Sequence, residues 1–314
     1  MGRRFFVTTL YTTWAMLWYT VGMFSLRQEL LKARQAKVAL GHFNISDLAG
    51  LKGIVAAAVA NKAPVMIGVS EGERQFIGVR QVAALVKSVR DELQIPIFLN
   101  ADHTHSFEKI QEAVEAGFDE VLFDAGKETL EENIEETKKV VAFVKEYNAA
   151  HGTDVLIEGE LGYIGGGSVI LDRIPEGVSI KSEDLTKPED AARFVAETGI
   201  DMLAPAVGNL HGMFSDAPNP NIDIDRIRAI AAAVDAYLVL HGGSGILSEQ
   251  FKAAIAAGIS VVHINTELRL AWRRGVDLAL MSHPKETTPY KILPEVAHEI
   301  ERVVDEKIKI FYTV

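Results

Sequence analysis

With 314 residues, no cysteine, and 32 Lys plus Arg against 43 Asp plus Glu for a net charge of −11, the chain has room for one large α/β domain or two ordinary ones. The missing thiols exclude disulfides, thiolate zinc sites and cysteine nucleophiles, so any metal must rest on Asp, Glu or the nine histidines. No basic run tracks a phosphate backbone, which argues against nucleic acid; an anionic substrate needs local help from a metal, backbone N–H groups or single arginines.

The first 24 residues differ from the rest. Arg3 and Arg4 precede a stretch of about twenty uncharged residues, enough to cross a bilayer. A membrane anchor, a signal peptide without a small-x-small cleavage site, and a mis-assigned start all fit this pattern. Met23 opens an ordinary amphipathic segment, FSLRQELLKARQ, and the remainder of the chain is soluble in character. The expectation is therefore a cytoplasmic enzyme formed by residues 23–314, with 1–22 an apolar extension.

From Lys37 onward, short apolar runs alternate with helical patterns. Strands are expected at 38–44, 64–70, 96–102, 120–125, 155–161, 202–208, 237–242 and 260–265, each nearly continuous in apolar residues, as in a sheet covered on both faces. Segments such as 51–60, 107–116, 130–147, 191–197, 224–234 and 250–257 carry apolar residues at helical spacing, and Gly117, Gly199 and Gly258 stand at helix ends. Eight such units in one domain have the rhythm of a (β/α)8 TIM barrel with extra terminal helices. An open doubly wound sheet is the alternative, weakened because no G-x-G-x-x-G follows the first strand. The long helices at 130–147 and 296–310 offer either an oligomer surface or a solvated charged face.

Barrel enzymes gather their chemistry at the carboxyl ends of the strands. The stretch IFLNADHTH (97–105) ends in Asp102, His103 and His105; later strand ends carry Asp124 in FDAG, Glu160 in EGELG, His211 in NLHG and His241 in HGGSG. One such histidine is readily a helix cap or a buried hydrogen-bonded ring. Three of them, His103, His211 and His241, at three strand ends make a nitrogen set that leaves a fourth position open on a catalytic zinc. Gly212, and the turn of Gly242, Gly243 and Ser244, stand where strands hand over to helices and backbone N–H groups bind phosphate; Asn265, Thr266 and Glu267 add polar groups on the same rim.

Together and in order, FN at 43–44, SEGE at 70–73, ADH at 101–103, FDAG followed by LEEN at 130–133, ELGxxGG at 160–166, VGNLHG at 207–212, HGGSG from His241 and NTEL from Asn265 resemble the class II, metal-dependent ketose-bisphosphate aldolases, which include the fructose- and tagatose-bisphosphate enzymes. The resemblance implies reversible retro-aldol cleavage of a ketose 1,6-bisphosphate, fructose 1,6-bisphosphate first, to dihydroxyacetone phosphate and glyceraldehyde 3-phosphate. It implies zinc, with cobalt as a substitute, on His103, His211 and His241, and Asp102 as the acid–base group. Asp124 and Glu160 would lie near the metal, as ligands or behind them. Gly212, Gly242, Gly243, Ser244, Asn265 and Thr266 would cradle phosphate, with a monovalent cation, K+ or Na+; Ser70 and Asn44 would touch substrate. A homodimer or larger homo-oligomer acting on a sugar phosphate is the implied assembly.

Two departures stand out. Members of the resembled family usually carry Asn where His263 stands, at a position that touches the ketone half of the substrate. The loop after the fifth strand has Gly167 and Ser168 where the family has acids, so the base for the dihydroxyacetone phosphate proton is sought at Glu176 or, failing that, Asp172, with His263 next. The rival readings are a non-catalytic aldolase-like subunit and a barrel zinc hydrolase.

Overall fold

The computed structural model describes residues 24–165, 167, 169–172, 181–182, 184–214 and 219–313. The expected extension at 1–22, Gly166, Ser168 and Glu176 lie outside the described residues. The first half runs α1 (Leu26–Ala36), β1 (Leu40–Asn44), α2 (Leu48–Asn61), β2 (Val65–Val69), α3 (Glu71–Ile77), α4 (Val79–Leu93), β3 (Ile97–Thr104), α5 (Phe107–Ala116), β4 (Glu120–Phe123), α6 (Leu130–His151) and β5 (Leu156–Leu161). It continues with β6 (Ile170–Leu171), α7 (Pro188–Thr198), β7 (Met202–Pro205), β8 (Met213–Phe214), α8 (Ile224–Ala233), β9 (Tyr237–Leu240), α9 (Ser248–Ala257), β10 (Ile259–Ile264), α10 (Thr266–Ser282) and α11 (Pro289–Phe311).

Eight of these strands pair in parallel in the order β1-β10-β9-β7-β5-β4-β3-β2, and β10 closes back on β1. The fold is a (β/α)8 barrel; closure rules out the open doubly wound sheet. The remaining two strands, β6 and β8, form a short parallel ladder that ties the loop after β5 to the loop after β7. Sequence patterning does not reveal this ladder, because two-residue strands carry no periodicity.

Alternation along each strand sorts the side chains. Phe43, Ile67, Leu99, Val121, Ile157, Leu203, Leu238 and Val262 face outward into the main apolar layer beneath the helices. Leu40, Met66, Phe98, Leu156, Met202, Val239 and Val261 face inward and form the floor of the barrel, which α1 plugs with Leu26, Leu30 and Ala33. One pleat higher, the inward positions turn polar while remaining buried: His42, Asn100, Glu120, Glu158 and His263. One pleat higher again lie Asn44, Asp102 and Glu160. An apolar floor, a buried polar layer and a chemical mouth thus arise from a single period-2 pattern read on eight strands.

Helix ends explain the glycines: Gly117 and Gly199 take the left-handed conformation as C-caps of α5 and α7. Helix α11, expected as a charged face or oligomer surface, buries Val296, Ile300, Val304, Ile308 and Phe311, so one side of it belongs to the core. Among the described residues no helix is long and apolar enough to cross a membrane.

Candidate active site

The end of β3 decides the site. In a regular strand Asp102 and His103 would point to opposite faces. Here the pairing of β3 with β4 slips between Ala101 and Thr104, and His103 adopts φ +37°, so a bulge lets both residues reach the cavity at the barrel mouth. Arg74, only 2% exposed, braces this bulge: its guanidinium donates to the carbonyls of Val69 and Asp102 and to the Thr104 hydroxyl.

Above the bulge the three predicted histidines meet. His103 Nε2 lies 3.1 Å from His211 Nε2 and 3.2 Å from His241 Nδ1, with the His103 ring edge-on to both others. Each outer nitrogen is held from behind: His103 Nδ1 by Asp124 Oδ2 at 2.7 Å, His211 Nδ1 by the Gly165 carbonyl at 2.7 Å, and His241 Nε2 by Glu158 Oε1 at 2.8 Å. Partners on the outer nitrogens turn the inner nitrogens toward one another, the arrangement that orients ligands around a metal. A tetrahedral zinc with nitrogens at about 2.0–2.1 Å separates its ligands by about 3.3 Å, close to the spacing here. The donor set therefore fits zinc.

The surrounding charge favours a cation as well. Burial pulls His103 down, but the charge of Asp102, the bond to Asp124 and the charge of Glu160 push it up to about 10. Burial, then the charge of His103, lowers His211 to about 4, and burial with the neighbouring rings holds His241 well below its ordinary value. Asp124 stands behind His103 rather than among the inner nitrogens; burial would raise it, yet its bond to His103 and that ring's charge bring it to about 2. Glu160 Oε2 is 3.9 Å from both His103 Nδ1 and His241 Nδ1 and has no hydrogen-bond partner; burial and then the charge of Asp124 raise it well above the carboxylate range.

Asp102 sits beside the trio, its Oδ1 3.8 Å from His103 Nε2 and 3.5 Å from His263 Nδ1, its Oδ2 accepting from the Asn44 amide at 2.8 Å. Burial works against its charge, but His103 and His263 hold it well below the usual range, so it stands ionised.

A cavity of about 1070 Å³ opens over this cluster. Gly212, Gly242, Gly243, Ser244, Asn265 and Thr266 line one side of it. Asn44, Ser70 and His263 line it beside Asp102. A Cβ on Gly242, at φ +62°, would lie 2.1 Å from the Leu210 carbonyl oxygen, so no other residue fits this turn. His105 also lines the cavity, but it is exposed and rests against the Asp124 carbonyl. Asp172, just past β6, is exposed and is not among the cavity's lining residues.

Sequence reasoning passed over several side chains that support the site. His42, in register with His263, stacks on it at 3.5 Å, and His263 stacks on His241 at 4.0 Å. His42 Nε2 contacts Asn100 Oδ1 at 2.8 Å, and Asn100 donates to Glu120. Burial, then the charge of Glu158, raises Glu120 well above its ordinary value; burial, then the charge of Asp102, does the same to Glu158. Burial, and next the charge of His42, lowers His263 to about 3. Strand parity was the available signal: His42 shares its face with Leu40, and Glu158 shares its face with Glu160.

A parallel barrel with three histidines converging at the carboxyl ends of its strands and an Asp beside them could hold a metal for lyase or hydrolase chemistry. The chain belongs to the class II fructose-bisphosphate aldolase family, whose model matches residues 24–314, and it is therefore a carbon–carbon lyase. It is 35% identical over 295 residues to the fructose-bisphosphate aldolase of Geobacillus stearothermophilus, covering 93% of this chain and 97% of that one. It is equally 35% identical, over 296 residues, to the 6-phospho-5-dehydro-2-deoxy-D-gluconate aldolase of Shouchella clausii, covering 93% and 95%. Among solved structures it resembles the YdjI aldolase of Escherichia coli K12, with a TM-score of 0.74 and 28% identity over 92% of this chain and 97% of that one.

Proposed function

We propose that the enzyme catalyses zinc-dependent, reversible retro-aldol cleavage of a ketose phosphate, with fructose 1,6-bisphosphate as the first substrate to test. The observation that carries this reading is the convergence of His103, His211 and His241, each held from behind, beside an ionised Asp102. The chemistry supplied there by bound zinc is Lewis-acid polarisation of the ketone. In cleavage the Asp102 carboxylate takes the proton from the C4 hydroxyl, the C3–C4 bond breaks, and its electron pair passes to C3 of the dihydroxyacetone half while the aldehyde forms. Asn44 holds the Asp102 carboxylate in place through Oδ2 and leaves Oδ1 facing His103 and His263. A second acid then protonates C3; Glu176, or failing that Asp172, in the loop after β5 is the proposed donor.

Tagatose 1,6-bisphosphate and related ketose phosphates are the second reading, favoured by His263 on the cavity wall and by a relative that carries a different aldolase name. The proposal extends to a K+ or Na+ ion beside the phosphate and to a cytoplasmic homo-oligomer. The test is side-by-side cleavage of the fructose and tagatose bisphosphates, with chelator and with zinc or cobalt restored. Asp102→Asn is expected to keep its metal while cleavage slows by about 10²–10⁴-fold. Loss of metal in that variant would make Asp102 a ligand, and full activity under chelation would refute the zinc reading.

A further inference from the structure

A phosphate entering this cavity meets an acidic protein with a net charge of −11. Among the described residues that line the cavity, the permanent cations are Lys127 and Arg269. They sit on opposite sides. Lys127 follows β4, which lies directly across the barrel from β10, and its ammonium rests 4.7 Å from the Tyr163 ring centre. Arg269 lies on the first turn of α10, three residues after Thr266, on the same rim as Asn265 and Ser244. Its side chain is 47% exposed, within reach of solvent and of the cavity, and its Nη2 donates to Glu73 Oε1 at 3.1 Å.

Glu73 is not a surface partner. It is 6% exposed, and its Oε2 accepts from the Ser70 backbone N–H at 2.8 Å and from the Asn44 amide at 3.0 Å. The same Asn44 amide nitrogen donates to Asp102 Oδ2 at 2.8 Å. Both amide protons of Asn44 are thus committed, one to each carboxylate, and the position of Glu73 sets that of Asn44 and so of Asp102. A continuous hydrogen-bonded chain runs from the cavity rim to the acid–base group: Arg269, Glu73, Asn44, Asp102. Arginine suits its outer end, because its planar fork offers five donors and can hold a phosphate without releasing a carboxylate.

We propose that Arg269 is the cation that receives the phosphate of the dihydroxyacetone half, and that Glu73 and Asn44 link its engagement to the orientation of Asp102. This rests on the aldolase reading for the substrate, whereas the phosphate contact stands on the cavity alone. Phosphate bound at Arg269 and Thr266 fixes the guanidinium in place on the rim with its bond to Glu73 kept, and so holds Asp102 in place only when the correct end of the substrate is seated.

The test titrates the zinc-loaded, full-length protein with inorganic phosphate and, separately, measures ketose bisphosphate cleavage. Arg269→Gln is expected to weaken phosphate binding and raise KM by roughly tenfold or more, as for loss of a charge-assisted hydrogen bond. Arg269→Lys should recover part of both. Lys127→Gln should leave phosphate binding within about twofold, since its charge is distant and screened. Glu73→Gln should keep phosphate binding within about threefold while kcat falls about tenfold, a split that a misplaced acid–base group produces and a lost binding contact does not. Unchanged phosphate binding in Arg269→Gln, or an equal loss in Lys127→Gln, overturns the assignment of Arg269; native kcat in Glu73→Gln overturns the link to Asp102. If the wild-type protein cleaves no ketose phosphate yet Arg269→Gln still loses phosphate, the aldolase reading fails and the phosphate contact stands.

Discussion

Replacing Arg74 by Met tests whether the bulge that aims Asp102 and His103 is held by that one side chain. Met keeps most of the volume of the stem and removes the guanidinium, which is 2% exposed and bonded to two backbone carbonyls and one hydroxyl. Two effects compete. Burial pushes the Arg74 pKa down despite the nearby charge of Asp102, so deleting the cation relieves a desolvation cost. Against that, the carbonyls of Val69 and Asp102 lose this donor, at about 1–3 kcal/mol each, while Thr104 keeps its bond to the Ala101 carbonyl. His103 also loses a brace on a left-handed backbone conformation, a kind of strain that costs about 1–3 kcal/mol and persists only where the surroundings over-determine it. The lost carbonyl bonds and the unbraced bulge should prevail, giving a net loss of about 2 kcal/mol. Urea unfolding followed by circular dichroism measures it, and kcat should fall about 10²-fold as Asp102 loses its aim. A variant as stable and as active as the parent would refute the claim that Arg74 holds the bulge.

At pH 7 His103, raised to about 10, carries a proton in the metal-free protein, whereas His211, at about 4, and His241 do not. Uptake of one zinc at pH 7 should therefore release about one proton, read from calorimetry in buffers of different ionisation enthalpy, and affinity should tighten about tenfold per pH unit between roughly 7 and 9; no proton release would contradict the arrangement. Because the folded value lies above the unfolded one of about 6.5, the stabilisation from a charged His103 is full below about pH 6 and fades as pH rises through 10, so the metal-free protein should unfold more readily at pH 10 than at pH 6. Gly68→Ala should cost about 1–3 kcal/mol and much of the activity, since its Cβ would fall 2.1 Å from Cε1 of a His42 ring already fixed by Asn100 and His263; native stability would show that this ring moves freely.

The rhythm of apolar runs and helical patterns was enough to foresee a (β/α)8 barrel, because each strand covered on both faces leaves its mark in a few consecutive residues. His103, His211 and His241 were legible for a related reason: in a barrel every strand end faces one mouth, so residues far apart in sequence share an address once the strands are counted. Local sequence alone points to Asp172 and Glu176 as loop acids, and the one that is described lies exposed and is not among the cavity's lining residues. Other features needed the third dimension. The bulge at Asp102 and His103 comes from a slip in register between β3 and β4, which neither strand encodes by itself. The stacked column of His42, His263 and His241 depends on the pairing of β1 with β10, across the closure of the barrel. The chain from Arg269 through Glu73 and Asn44 to Asp102 joins a helix after β10 to a helix after β2 and the ends of β1 and β3. Local sequence sets periodicity, because pleat and helical pitch act over a few residues; which side chains then meet is set by register, closure and the packing of distant segments, whose energies are shared among strands and belong to no single stretch of chain.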